Sequence, residues 1–380
     1  VSARKSAAFY APLKSPNHPL PSGDRTMARL LVKTLDRAGF APHLASELRT
    51  FDKAGDRRVQ DDLKERSLAE AARLIAHYRA LPQECRPSLW FTYHVYYKAP
   101  DWIGPRVSKA LGIPYVIAEG SRAGKRAGGP WALGHEGAEA ALDRADAVFV
   151  MTAKDRIALE RSRPPHQALI DLPPFMDAEE WPGPASPRVS GEPRLLTVAM
   201  MRDGDKLASY RILADALKAI ARRPWSLDIV GDGEARPDIE LLFEPLAGRV
   251  RFHGRIESTS GLAALYRQAD LFVWPAVNEA YGMVLLEAQF FGCPVVAGDF
   301  GGVASVVKDG ETGLLTPAGD SAAFSDAVKD LLDHPARLRA LGTRAQHFVS
   351  EERNLDRAAM RVREVLRSLA LPGGAQACVF

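Results

Sequence analysis

The chain has 380 residues, 46% of them hydrophobic and 26% charged, which is the composition of an ordinary globular protein with length for two or three domains. It lacks zinc-ligand spacing, a basic run and an aromatic-basic RNA motif, which argues against nucleic-acid binding. No run approaches the ~18 apolar residues of a membrane span and the first residues lack a signal-peptide core. Cys85, Cys293 and Cys378 are widely spaced without a CxxC pair, so the expectation is free thiols in a reducing cytoplasm.

Along the chain, short apolar strands alternate with amphipathic helices. Ala7–Tyr10 reads as the first strand. Asp24–Ala38 reads as the first helix, with Met27, Leu30, Leu31 and Leu35 on one face and Gly39 as its stop. Leu89–Tyr93, Tyr115–Ala118 and Ala147–Val150 are later strands. The alternation stops in the Pro/Gly-rich stretch Trp181–Pro193, a linker that sets domains of 1–180 and 194–353. It restarts with Arg194–Ala199, Ser226–Val230, Val250–Phe252 and Leu271–Pro275, and the last predicted helix is Asn354–Leu369. Such alternation implies α/β domains with parallel sheets, which bind ligands at the carboxyl ends of their strands.

The most informative segment is Asn278-Glu279-Ala280-Tyr281-Gly282-Met283-Val284-Leu285-Leu286-Glu287. Glu279 lies in a strand-to-helix loop, and Gly282 permits a tight turn into a helix predicted over Met283–Phe291. Open N–H groups at that helix start favour an anion, and Glu287 projects from the second turn. A phosphate at the helix tip flanked by two carboxylates suits a sugar nucleotide, whose hydroxyls pair with carboxylates.

This segment, with the following Gly292-Cys293-Pro294-Val295-Val296-Ala297 and Gly301-Gly302-Val303, resembles the donor-site signature of retaining, family-4-type glycosyltransferases (glycosyl transferases group 1) of the GT-B fold. Asp309-Gly310-Glu311-Thr312-Gly313 adds a familiar turn. The resemblance implies two Rossmann-like domains facing a central cleft, the first binding the acceptor and the second the nucleotide sugar, with the C-terminal helix (354–380) crossing back to the first. It implies that Arg202 and Lys206 neutralise the donor diphosphate, although this chain has Lys206-Leu207 where the family has Lys-Gly. Asp203-Gly204-Asp205 between them reads as a loop with internal ion pairs rather than a metal site.

The resemblance further implies that Glu279 orients the transferred sugar, Glu287 holds the ribose, and backbone N–H groups from Ala280, Tyr281, Gly282 and Met283 meet the diphosphate. Gly231, in Val230-Gly231-Asp232-Gly233, lets the nucleotide approach the backbone, and Arg255 and Ile256 edge the nucleobase. His253 packs or caps. In the first domain Gly23, in Pro21-Ser22-Gly23-Asp24, touches the donor, or Ser22 or Asp24 simply caps the helix. His94 positions the sugar or assists proton transfer, or it is a structural histidine among Tyr93, Tyr96 and Tyr97. Arg122, Lys125 and Arg126, in a Gly-rich basic loop, are candidates for contact with an anionic acceptor, or are solvated charges.

The expected function is a hexosyltransferase that moves a sugar from a UDP- or GDP-linked donor to an acceptor hydroxyl with retention, without metal or cofactor. Bacterial polysaccharide or glycolipid synthesis is the expected setting. Residues 1–180 carry 27 Lys and Arg against 22 Asp and Glu. That mild basic excess suits an anionic acceptor or weak contact with the inner face of a membrane. A sugar-nucleotide epimerase of the same fold and a catalytically silent sugar-nucleotide-binding protein are the alternatives.

Overall fold

The structure is a computed structural model that describes residues 4–20, 22–184 and 191–369. Pro21, part of the expected linker and Cys378 lie outside these residues. The chain divides into two compact units, one running to Pro173 and resuming at Leu355, the other spanning Pro174–Asn354.

The first unit holds β1 (Lys5–Tyr10), β2 (Phe40–Ser46), β3 (Leu89–Val95), β4 (Tyr115–Gly120), β5 (Ala147–Val150) and β6 (Ala168–Asp171). They form one parallel sheet in the order β2-β1-β3-β4-β5-β6. Helices α1 (Gly23–Arg37), α2 (Arg57–Ala80), α3 (Gly104–Leu111), α4 (Ala132–Arg144) and α5 (Ala153–Arg161) connect them. The central strands are buried on both faces, which is why β3 and β4 read as largely apolar runs. The edge strands β2 and β6 carry no such signal. β2 contains Pro42, tolerated at an edge, and β6 is half exposed.

The second unit holds β7 (Arg194–Val198), β8 (Ser226–Val230), β9 (Val250–Gly254), β10 (Leu271–Trp274), β11 (Val295–Asp299) and β12 (Gly313–Pro317). Its parallel sheet runs β12-β11-β10-β7-β8-β9. Its helices are α6 (Asp205–Ala219), α7 (Arg236–Phe243), α8 (Thr259–Gln268), α9 (Met283–Phe290), α10 (Ser321–Asp333) and α11 (Pro335–Glu352). Each sheet therefore winds outward in both directions from an adjacent pair of strands, β1/β3 in the first and β7/β10 in the second. Loops at the carboxyl ends of such a pair diverge to opposite faces and leave a crevice.

The division between units falls ahead of the expected linker, because 174–183 packs on the second unit. Met176 N donates to Arg353 O (2.9 Å), and the Trp181 ring meets Tyr266 (6.0 Å) and Phe291 (5.7 Å) edge-on. The last helix, α12 (Leu355–Leu369), belongs to the first unit. It buries Ala358, Ala359, Val362 and Leu366, Arg363 Nε donates to Ala38 O (3.1 Å), and Asp356 pairs with Arg37 (2.8 Å). Among the described residues no helix is long and apolar enough to cross a membrane. Cys85 and Cys293 are free thiols, the first exposed and the second buried.

Leu366 is 2% exposed. Leu366→Ala should cost about 2–5 kcal/mol in denaturant unfolding of the intact chain. A loss of less than about 0.5 kcal/mol would mean that α12 adds little to the first unit.

Candidate functional site

In the second unit the reversal of strand order lies between β7 and β10, and the loops that follow these strands carry Arg202 with Lys206 and Glu279. Gly204, with φ near +77°, caps α6, so Lys206 stands in the first turn of that helix rather than ahead of it. Lys206 Nζ donates to Glu279 Oε2 at 2.6 Å, and Trp274 Nε1 donates to the same oxygen at 3.2 Å. The ammonium also lies 5.2 Å from the centre of the Trp274 ring. Two groups expected to act on different parts of a ligand are thus partners of each other. An ammonium has three donors, so the pair leaves Lys206 with capacity for a phosphate oxygen.

The loop carrying Glu279 is fixed by α6. Val277 N donates to Ser209 Oγ (3.0 Å) and Asn278 Nδ2 to Asp205 Oδ2 (2.5 Å). Asp205 is thereby engaged with the loop, and among the described residues it pairs with no cation. Ala276 and Asn278 both sit at φ 55°, a left-handed conformation that costs about 1 kcal/mol for a side chain such as alanine. Gly282, at φ 75°, caps α9, whose first turn has no side-chain cap and no acidic residue. Tyr281 and Met283 bury their side chains and Ala280 O accepts from Gly302 N (2.5 Å), so toward solvent this turn offers backbone rather than side-chain chemistry. Arg202 is exposed, with no side-chain partner among the described residues.

Glu287 points into an aromatic cluster. Its Oε2 accepts from Tyr266 OH (2.8 Å), and the Tyr266 ring stacks on Phe291 at 5.7 Å. Burial raises its carboxyl to about 7, against the opposing effect of the Tyr266 hydrogen bond. The Gly231 turn has a demand of its own. A Cβ there, at φ +148°, would collide with the Ala199 carbonyl oxygen, so glycine is required by the β7 loop whatever binds nearby. Arg255 and Ile256 follow the edge strand β9, two strands from β7, with Arg255 exposed and paired to Glu257 (3.1 Å). His253 Nε2 donates to Asp228 Oδ1 (2.6 Å), a packing role.

In the first unit the reversal lies between β1 and β3, and charge gathers there too. His94 is the penultimate residue of β3 rather than the residue after it, at φ 64°. Its Nδ1 lies 3.3 Å from Asp24 Oδ1 and its Nε2 3.7 Å from Glu119 Oε1, at the end of β4. Burial alone would lower the imidazole; the charges of Glu119 and then Asp24 outweigh it and raise His94 to about 9. Burial, with Asp24 and Asp155 near, raises the Glu119 carboxyl, while Asp24 is held low by His94 against its own burial. The ring also lies against Tyr96 (4.9 Å). Gly23 opens α1 behind its cap Ser22, with open space beside its Cα.

Asp24 and Glu119 were not singled out from sequence as partners of His94. Asp24 reads as a cap candidate and Glu119 as the residue after the predicted strand Tyr115–Ala118; only the β1-β3-β4 adjacency joins them. Of the basic loop, Arg122 is consumed by Glu139 and by Asp143 (2.6 Å), whereas Lys125 is exposed.

Residues 192–334 match the family model described as Glycosyl transferases group 1. A D-inositol 3-phosphate glycosyltransferase of Nocardia farcinica is 42% identical over 30% of this chain, a stretch that spans only 26% of that relative. A sucrose-phosphate synthase structure from Thermosynechococcus elongatus aligns over 96% of this chain and 99% of its own, with TM-score 0.74 and 22% identity. The structure of Anabaena HepE with UDP and glucose aligns over 96% of this chain and 100% of its own, with TM-score 0.67 and 18% identity. The chain has the GT-B fold, with two six-stranded parallel sheets.

Two titrations test this geometry. Because Glu287 is raised from 4.5 to about 7, stability falls as pH rises across that interval, where the unfolded chain ionises first. Glu287→Gln should therefore gain in Tm on the parent by a few degrees between about pH 5 and about pH 8. A constant difference would contradict the burial. For His94, raised from 6.5 to about 9, stability present below 6.5 is lost as pH rises through about 9. Its ring resonances should titrate near 9 and move downward in Asp24→Asn; a parent midpoint at 6.5 would contradict the carboxylate clamp.

Proposed function

We propose that the chain is a glycosyltransferase that moves a sugar from a nucleotide-diphosphate sugar to an acceptor hydroxyl, with retention and without a metal. One observation carries this reading: the Lys206–Glu279 pair stands at the reversal of the second sheet, beside Arg202 and the uncapped start of α9. The names of the similar proteins support the class, one a glycosyltransferase and one holding UDP and glucose.

Arg202, Lys206 and the backbone N–H groups around Ala280 to Met283 hold the diphosphate. Their charge matters more as the leaving group departs, since fixed cations and dipoles stabilise developing negative charge. Glu279, already aligned by Lys206 and Trp274, accepts from hydroxyls of the sugar. Glu287 holds the ribose with the oxygen that Tyr266 leaves available. The bond between the anomeric carbon and the diphosphate oxygen breaks, with the electron pair leaving on the diphosphate. The acceptor oxygen bonds to the same face and its proton passes to a phosphate oxygen, so neither glutamate serves as a nucleophile. His94, a cation at neutral pH, is a positioning charge and not a base. Polysaccharide or glycolipid synthesis suits this reaction.

Incubation with UDP- and GDP-hexoses and sugar or lipid-linked acceptors, in EDTA, should give a product with the anomeric configuration of the donor by NMR. An inverted product, or activity that needs added magnesium, would overturn retention or metal independence. Donor epimerised without an acceptor product would favour an epimerase.

Arg202→Ala and Lys206→Ala should each lower kcat about a hundredfold while changing sugar-free nucleotide affinity less than about tenfold. Glu287→Ala should weaken nucleotide binding and Glu279→Ala should spare it while depressing turnover. Equal, negligible effects of both would remove the site assignment.

A further inference from the structure

The first unit carries a second cluster that the His94 site does not use. Tyr97 and Trp131 meet edge to face with ring centres 5.8 Å apart. Lys98 Nζ lies 5.8 Å from the Tyr97 ring centre and 5.1 Å from that of Trp131. The Arg126 guanidinium lies 5.2 and 5.0 Å from the same two rings. Two cations thus share one pair of aromatic rings, and neither forms an ion pair with a carboxylate among the described residues. Arg126 Nε is buried without a hydrogen-bond partner. Ring faces offset part of the repulsion between like charges, but cation–π contacts are worth only about 0.5–2 kcal/mol each. A guanidinium stacked on a ring keeps its in-plane donors for an anion.

The platform is held rigidly. Trp131 Nε1 donates to Asp52 O (3.3 Å), and buried Gln60 bridges Pro130 O (2.8 Å), Asp52 Oδ2 (2.8 Å) and Gly134 N (3.0 Å). The nearby Asp52 carboxylate accepts from Gln60 and from the Ala54 and Gly55 N–H groups, so most of its acceptor capacity is used inside the fold. The rings are also continuous with the first site. His94 contacts Tyr96 (4.9 Å), Tyr96 contacts Tyr97 (5.5 Å), and Tyr97 contacts Trp131.

We propose that Tyr97, Lys98, Arg126 and Trp131 form an acceptor subsite for a phosphate-bearing sugar or polyol, the cations taking the phosphate and the rings the apolar face of the ring. This deepens the transferase reading and rests on it for the word acceptor. The phosphate belongs either to a free sugar phosphate or to a lipid headgroup; the recognition chemistry is the same. Of the three basic residues of the loop, Arg126 carries the contact, since Arg122 is neutralised within the fold.

Calorimetry with the full chain tests the subsite without any donor. Glucose 6-phosphate should bind about tenfold or more tightly than glucose, as two charge-assisted contacts require. Lys98→Met and Arg126→Met, which keep the stems, should each weaken that binding about fivefold or more with Tm and nucleotide affinity unchanged, and Arg126→Lys should restore part of it. Floating of the chain with phosphatidylglycerol but not phosphatidylcholine vesicles, lost in both Met variants, would assign the phosphate to a lipid. Equal binding of glucose and glucose 6-phosphate together with indifference to phosphatidylglycerol, or phosphate binding unchanged in both Met variants, would overturn the subsite. Failure of the parent to bind any nucleotide is a separate result that strikes the transferase reading and leaves the phosphate site standing.

Discussion

The reversal of strand order within each parallel sheet is the constraint on which the rest depends. Where two neighbouring strands send their crossovers to opposite faces, the loops at their carboxyl ends part, and backbone and charge are left facing solvent. In the second unit those strands are β7 and β10, and the loops bring Lys206 against Glu279. In the first they are β1 and β3, and the same geometry brings Asp24 against His94. The two charge pairs are products of topology before they are products of side-chain choice.

Strain marks the same places. Among the described residues the non-glycine positions with positive φ are His94, Glu119, Ala276 and Asn278. All four lie at or just beyond the carboxyl ends of β3, β4 and β10. A left-handed alanine or glutamate is unfavourable on its own and persists where the surrounding structure holds it. Here Ser209 and Asp205 hold the β10 loop, and opposed charges surround the end of β3. Stability is spent where the charges must be aimed. The sequences on either side, the apolar strands and the helices packed over them, supply it.

Much of this was readable from residues alone, and the reason is periodicity. β10, buried at every position, and α9 behind Gly282 announce themselves, so Glu279 and Glu287 fall in their loop and helix without further information. The edge strands β2 and β6 do not, because half-exposed strands, one containing proline, carry no apolar run. Contacts across the chain were equally hidden. Nothing local says that Lys206 meets a carboxylate 73 residues away, or that Glu287 spends one oxygen on Tyr266. Gly231 is hidden in another way: whatever it does for a ligand, a carbonyl of its own chain already requires a glycine there. The domain boundary followed the Pro/Gly content of 181–193, whereas packing of Trp181 on Tyr266 and Phe291 ties the start of that stretch to the second unit.

The central claim is that the second unit holds a nucleotide diphosphate on its own cations and an uncapped helix start. Calorimetric titration of the full chain with UDP, GDP and ADP, with EDTA present throughout, tests it most directly. The account predicts micromolar binding of one of them. Absence of binding by all three in EDTA, whether or not magnesium restores it, would contradict it.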